Sequence, residues 1–307
     1  MRLRNFCAGP AAIPDVVLEE VKSELLEWGD SGMSIMEMSH RSSIFKKVAT
    51  EAKKDFIELL KVPDDYDVLF LQGGATHQFS MVPINFLSKN ESADYLLSGT
   101  WSKLAISEAS KFSNINIVAS SEEDNFNHVP DFESWELDNK AKYFHYAPNE
   151  TIQGVALHEI PNVDTPIIAD MSSIILSEPI DVTKFSLIYA GAQKNIGPAG
   201  LTIVIIRRDM FKKENNEISN ILRYSKHSES NSMLNTPPTF AWYLSGKVFK
   251  WLKKEGGLGA IKTKNYYKAK TLYNYIDSSN FFLNSIKAKN RSIMNITFKL
   301  PTPEIDS

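Results

Sequence analysis

Lys194 and Asp170 each close an apolar stretch of strand-like composition. Residues 187–190 (Leu-Ile-Tyr-Ala) lead towards the lysine, and residues 167–169 (Ile-Ile-Ala) lead into the aspartate. A lysine amine can form an imine with an aldehyde, and a carboxylate can keep a proton on a ring nitrogen. Those are the two demands that pyridoxal phosphate makes of a protein. The amine must be flexible and partly deprotonated, because its bond to the cofactor is broken and remade in every turnover. Alone, the pair also reads as a turn carboxylate and a solvated lysine. The neighbours favour the first reading. Gln193, Asn195 and Gly197-Pro-Ala-Gly200 form a tight polar turn, and residues 201–206 are a buried strand by composition. The lysine is therefore expected in a loop between two strands, where ligand sites form in α/β folds.

Two further segments bear on the same chemistry. Gly73-Gly-Ala-Thr76 follows a strand signal and opens a helix. Small residues there let backbone N–H groups face a phosphate, although an ordinary turn has the same composition. Trp101 follows the strand signal at 95–97. A flat aromatic at a strand end can stack on a pyridine ring or simply cap the core.

Strand and helix signals alternate along the chain. Pro14 opens a helix bearing Val17, Val21, Leu25 and Trp28, which is expected to stop at Gly29. Ser42 or Ser43 caps a second helix, with Phe45, Val48, Ala52, Phe56 and Leu59 inward. Strands are expected at 67–71, 95–97, 115–118, 142–145, 166–169, 187–190 and 201–206. Helices are expected at 76–87, with Pro83 inside it, and at 102–111. Residues 214–232 are polar and read as an exposed excursion. Residues 239–254 form a helix with a stripe of Phe240, Tyr243, Leu244, Val248, Trp251 and Leu252. That stripe, beside Lys250, Lys253 and Lys254, suits a core or interface helix better than a membrane-surface one. Glu255-Gly-Gly-Leu-Gly259 marks a boundary, a helix follows over 260–276, and 294–300 reads as a lone strand. The alternation implies an α/β fold with a mostly parallel sheet covered on both faces.

The bulk properties narrow the function classes. The 307 residues carry 23% charged side chains and a formal net charge of -3, which argues against a general nucleic-acid binder. No run of about 18 apolar residues is present, so no transmembrane helix is expected. The break at Gly9-Pro10 argues against a signal peptide. Cys7 is the single cysteine, which rules out an internal disulfide and suits a reducing, cytoplasmic setting. No metal is expected.

Longer segments carry a family resemblance. They are Asn5-Phe-Cys-Ala-Gly-Pro10, Glu37-Met-Ser-His-Arg41, Ala147-Pro-Asn-Glu-Thr151, residues 189–200, Asn235-Thr-Pro-Pro-Thr-Phe-Ala-Trp-Tyr243 and Asn290-Arg-Ser-Ile-Met-Asn295. Together they resemble the phosphoserine aminotransferase family, class-V aminotransferases of the fold-type I group. The resemblance implies a large domain over 15–256 with a mostly parallel seven-stranded sheet. It also implies a small α/β domain made of 1–14 with 257–307. Lys194 would hold the cofactor and move the Cα proton, and Asp170 would pair with the pyridine nitrogen. Trp101 would stack on the ring, and Thr151 would hydrogen-bond near its hydroxyl. Ala75, Thr76 and Gln193 would bind the phosphate. Asn235 and Thr236 would reach the phosphate of the other subunit's cofactor in a homodimer, and His40 and Arg41 would reach the substrate's anionic groups. The implied reaction passes an amino group from glutamate to 3-phosphooxypyruvate, giving 2-oxoglutarate and phosphoserine for serine biosynthesis.

The chain departs from the family pattern in two places. Some relatives place a substrate-binding arginine where this chain has Thr76, followed by His77. Relatives also continue beyond the segment at 293–300, with a histidine–arginine pair and a further arginine. The small domain is accordingly expected to be incomplete, and turnover to be reduced or lost. The alternatives are a non-catalytic cofactor-binding dimer and another fold-type I enzyme. A cysteine desulfurase would need a nucleophilic cysteine on a late loop, and Cys7 is the only cysteine.

Overall fold

The computed structural model describes residues 2–302; Met1 and residues 303–307, which the expected small domain includes, lie outside that range. The order of elements begins α1 (Asp15–Ser23), α2 (Ser43–Leu60), β1 (Tyr66–Leu71), α3 (Gly74–Phe86), β2 (Ser92–Leu97), α4 (Thr100–Ala109) and β3 (Asn114–Ser120). It continues with β4 (Phe144–Tyr146), β5 (Asn149–Glu150), β6 (Val155–Ala156), β7 (Ile167–Asp170), β8 (Leu187–Gly191) and β9 (Thr202–Arg207). The helices α5 (Tyr224–Glu229), α6 (Thr239–Lys254) and α7 (Gly257–Asp277) complete it.

Seven strands form one sheet in the order β1-β9-β8-β7-β4-β2-β3. β8, β7, β4, β2 and β3 run parallel, while β9 is antiparallel to both of its neighbours. The expected mostly parallel sheet is therefore present. Its inner strands β7 and β8 are buried along their whole length because both faces are covered, while the edge strand β3 stays partly exposed. In β1, Val68 and Phe70 enter one core while Leu69 and Leu71 enter the other. Ile188 and Ala190 of β8 likewise face the first core, and Leu187 and Tyr189 the second. Two-residue alternation thus feeds two separate cores.

The first core lies under α1, α2 and α6. Trp242 stacks on Phe70 with centroids 4.3 Å apart and planes 5° from parallel, and meets Phe45 edge-on at 6.1 Å. Tyr243, Leu244, Val248 and Leu252 are also buried, so α6 is a core helix, as its stripe implied. Ser42 caps α2 through its hydroxyl, which accepts from the N–H of Phe45 at 3.1 Å. The second core lies under α3 and α4. There the His145 ring stacks between Tyr95 (4.5 Å, 25°) and Tyr189 (5.9 Å, 23°), with Nε2 2.8 Å from Tyr189 Oη. Burial lowers the His145 pKa from 6.5 to about 3.

The structure corrects several expected elements. α1 stops at Ser23 rather than at Gly29, because only Val17 and Val21 are buried and Leu26 stays 88% exposed. Beyond it the chain turns, with the N–H of Trp28 bonded to Met33 O and left-handed backbone at Gly29 and Gly32. Residues 214–232 are not an exposed excursion. Glu214 and Tyr224 are buried, Tyr224 Oη donates to Gln78 Oε1 at 2.7 Å, and α5 forms within the segment. Its polar residues satisfy one another inside the protein, with Ser225 bonded to Glu214 through both N–H and hydroxyl. α7 begins at Gly257, three residues earlier than expected, behind Gly256 at φ 97°. Residues 294–300 form no strand among the described residues. Their one ladder contact is the isolated bridge between Leu283 and Lys299, so no sheet neighbour extends the pairing.

Replacing Trp242 by Ala removes both aromatic contacts from the first core. We expect a loss of about 3–5 kcal/mol, measured by urea unfolding. His145 gives a pH signature. Its folded pKa lies below its unfolded value, so below about pH 6.5 the unfolded chain binds more protons and stability falls with pH. His145→Gln keeps a partner for Tyr189 and removes up to about 1.4 kcal/mol per pH unit of that slope between about pH 6 and pH 4.

Candidate active site

The site lies at the strand ends where β7 and β8 run side by side. Asp170 is the last residue of β7 and sits opposite Tyr189 of β8. Its Oδ1 accepts from the N–H of Ser172 at 2.9 Å and from the Ser172 hydroxyl at 2.5 Å. The same hydroxyl accepts from the N–H of Gly191 at 3.0 Å, so one serine ties the aspartate to the end of the lysine's strand. Among the described residues, Asp170 Oδ2 has no hydrogen-bond partner, which leaves it for a donor supplied by a ligand. Burial raises the Asp170 pKa, while the Ser172 bonds and the charge of Lys194 oppose that shift.

Lys194 follows β8 in the loop that returns as β9, as expected. Its Nζ donates to Thr151 Oγ1 at 2.5 Å and lies 4.7 Å from the centroid of the Trp101 ring. Burial lowers its pKa, against the opposing charges of Asp170 and Glu150. A desolvated lysine holds more of its amine neutral, which is the reactive form towards an aldehyde. The loop is held on several sides. Asn195 Nδ2 donates to Ile175 O at 2.6 Å, and the N–H of Ala192 bonds to Leu201 O at 2.9 Å. The N-terminal segment crosses the lysine stem. A Cβ on Gly9 would lie 2.9 Å from Lys194 Cγ, and the N–H of Ala11 bonds to Gln193 O at 2.9 Å.

The sheet register brings the start of α3 to this same edge. Leu71 at the end of β1 and Gly191 at the end of β8 both pair with Thr202. Gly73 at φ 95° and Gly74 at φ 69° turn the chain directly from β1 into α3. Ala75 and Thr76 occupy the first turn, where backbone N–H groups have no intrahelical acceptor. These elements fit pyridoxal phosphate: a neutral-leaning amine, an open carboxylate oxygen, a flat indole and a helix N-terminus at one sheet edge.

One chain thus brings together Lys194, Asp170, Trp101 and Thr151, with Gln193 in the lysine loop and Ala75 and Thr76 on the adjoining turn. It does not bring the other candidates to Lys194. Asn235 and Thr236 are exposed, Thr236 O accepts from Gln72 Nε2 at 2.6 Å, and Asn235 shares a small cavity with His77. His40 and Arg41 line a separate cleft of about 690 Å³ with Lys46, Lys53 and Trp242. Two residues escaped sequence reasoning. Ser172 had a legible signal, an aspartate followed two residues on by a serine, which favours a local side-chain turn. Glu150 stood in the open beside Thr151, but a glutamate between polar residues gives no hint of full burial.

Comparison with known proteins places this chain in a family. The class-V aminotransferase pattern matches residues 4–305. The phosphoserine aminotransferase of Acinetobacter baylyi is 53% identical over 301 residues, covering 98% of this chain and 84% of that protein. The solved phosphoserine aminotransferase of Bacillus circulans subsp. alkalophilus superposes with a TM-score of 0.96 at 42% identity, covering 99% of this chain and 85% of that one. A pyridoxal phosphate-bound phosphoserine aminotransferase from Trichomonas vaginalis gives a TM-score of 0.94 at 42% identity, over 98% of this chain and 84% of that one. The chain adopts the same fold-type I architecture and belongs to the class-V aminotransferases, within the phosphoserine aminotransferase family.

Proposed function

We propose that the protein is a pyridoxal phosphate-dependent phosphoserine aminotransferase. It moves an amino group between glutamate and 3-phosphooxypyruvate, giving 2-oxoglutarate and phosphoserine. One observation carries the reading: a desolvated Lys194 amine lies against Trp101, with the Asp170 carboxylate anchored on the neighbouring strand end.

When bound, the cofactor supplies an aldehyde that carries the amino group and a ring that takes up the electrons of the substrate Cα–H bond. The protein's own residues do the rest. Lys194 would hold the cofactor through its amine and would move the proton between the substrate Cα and the cofactor carbon that takes up the amino group. Asp170 holds a proton at the ring nitrogen through its free Oδ2. Ser172 keeps Oδ1 occupied, so the carboxylate cannot rotate away. Trp101 covers the ring and keeps water off it. Thr151 steadies the Lys194 amine and the neighbouring ring hydroxyl. The N–H groups of Ala75 and Thr76 and the side chain of Gln193 hold the phosphate.

The remaining roles require a homodimer. Asn235 and Thr236 are exposed on this chain, and His40 and Arg41 lie in a cleft apart from Lys194. In the proposed dimer a second copy presents them across the interface, the first pair to the phosphate and the second to the substrate's anionic groups. An arginine fork suits a phosphate or a carboxylate. No described helix is long and apolar enough to cross a membrane.

The function is tested by the absorption spectrum of the purified chain with pyridoxal phosphate, before and after L-phosphoserine. We expect the band of the lysine-linked cofactor to convert to that of the amino form. A band that saturating L-phosphoserine leaves unchanged sinks the proposed activity. The Ser172 anchor has its own signature. Ser172→Ala should raise the cofactor dissociation constant about tenfold, since a lost hydrogen bond to a charged group is worth about 1.5 kcal/mol. Equilibrium dialysis measures it, and an unchanged constant removes the anchor from the account.

A further inference from the structure

Glu150 ends β5 and is completely buried, and the proposed chemistry has no use for it. Its Oε2 accepts from the N–H of Trp101 at 2.9 Å, and its Oε1 accepts from the N–H of Ser102 at 2.8 Å. The carboxylate therefore occupies the N-terminal end of α4. Helix N–H groups there lack partners of their own, and the helix dipole favours an anion. The fit is close. A Cβ on Gly99 would lie 2.5 Å from Glu150 Cδ, so only glycine leaves room for the carboxylate. Gln153 completes the grip, with Oε1 accepting from the N–H of Thr100 at 3.2 Å and Nε2 donating to Thr100 Oγ1 at 2.7 Å.

Trp101 depends on that grip. Its indole N–H is buried without an acceptor, so no hydrogen bond from the ring itself sets the ring's position. The backbone carries the restraint, and Glu150 holds the backbone. The residue after Glu150 is Thr151, whose hydroxyl accepts from Lys194 Nζ at 2.5 Å. One short segment thus fixes the indole through its main chain and the amine through a hydroxyl, and the two end 4.7 Å apart.

We propose that Glu150 is a positioning residue: its buried carboxylate holds the start of α4 so that the Trp101 ring lies over the Lys194 amine. This rests on the reading of Trp101 as the residue that stacks on the cofactor ring. A carboxylate is required because both of its oxygens accept from backbone N–H groups. Glutamine offers one oxygen, and its amide nitrogen would face a second donor.

The contact itself is tested without cofactor, by backbone amide exchange in the apo chain. In Glu150→Gln, exchange at Trp101 or Ser102 should quicken about tenfold or more while the global unfolding midpoint is retained. Unchanged exchange at both amides overturns the proposal. The consequence for the site is tested by a double-mutant cycle on the cofactor dissociation constant, with wild type, Glu150→Gln, Trp101→Phe and the double variant. Glu150→Gln should weaken binding about tenfold in the wild-type background and less than about twofold when Trp101 is already Phe. Equal effects in both backgrounds overturn the proposal, because Glu150 would then act without Trp101. If the glutamine variant does not fold, Glu150→Asp keeps the charge, withdraws it by one methylene, and reads the same two quantities. A wild-type chain that binds no cofactor counts against the functional reading instead, and amide exchange still decides the Glu150 contact.

Discussion

Burying a lysine amine beside carboxylates is the constraint on which the rest of this structure depends. An isolated buried charge is costly, and each partner here needs other groups to hold it. Lys194 loses hydration and tends towards the neutral amine, Asp170 loses hydration and tends towards the neutral acid, and each charge opposes the other's shift. The balance is set by short local bonds. Ser172 supplies two donors to one oxygen of Asp170, and Thr151 accepts from the amine. A site arranged this way holds a desolvated amine and an anchored carboxyl group with no direct ion pair between them.

The sheet supplies the precision. β7 and β8 are parallel neighbours, so their ends present Asp170 and the lysine loop on one edge. β9 reverses direction immediately after that loop, and its first residue, Thr202, pairs with the ends of both β8 and β1. This reversal brings the Gly73-Gly74 turn and the start of α3 to the same edge as the lysine. The two cores beneath this edge are filled by large aromatic residues packed face to face and edge to face, so the strand ends rest on rigid supports.

Much of this was legible in the sequence because burial on both faces leaves unbroken apolar runs, and residues 187–190 and 201–206 have that form. The Lys194 loop showed itself by its glycines and its polar flanks. What the sequence hid was polar burial. Tyr224 and Glu214 lie in a segment whose composition suits solvent, yet their bonds close inside the protein. Glu150 is hidden for the same reason, since its partners are backbone N–H groups that carry no side-chain signal. The helix expected to reach Gly29 failed on the converse ground: Leu25 and Trp28 continue the apolar spacing, but the turn built on Gly29 and Gly32 replaces further helix.

The most direct test of the central claim is chemical trapping at the amine. The purified chain is loaded with pyridoxal phosphate near neutral pH, reduced with borohydride, digested and analysed by mass spectrometry. The account predicts one modified lysine, Lys194, because burial lowers its pKa and its neighbours hold it in place. Label spread over surface lysines such as Lys250 and Lys254, with Lys194 unmodified, would contradict it.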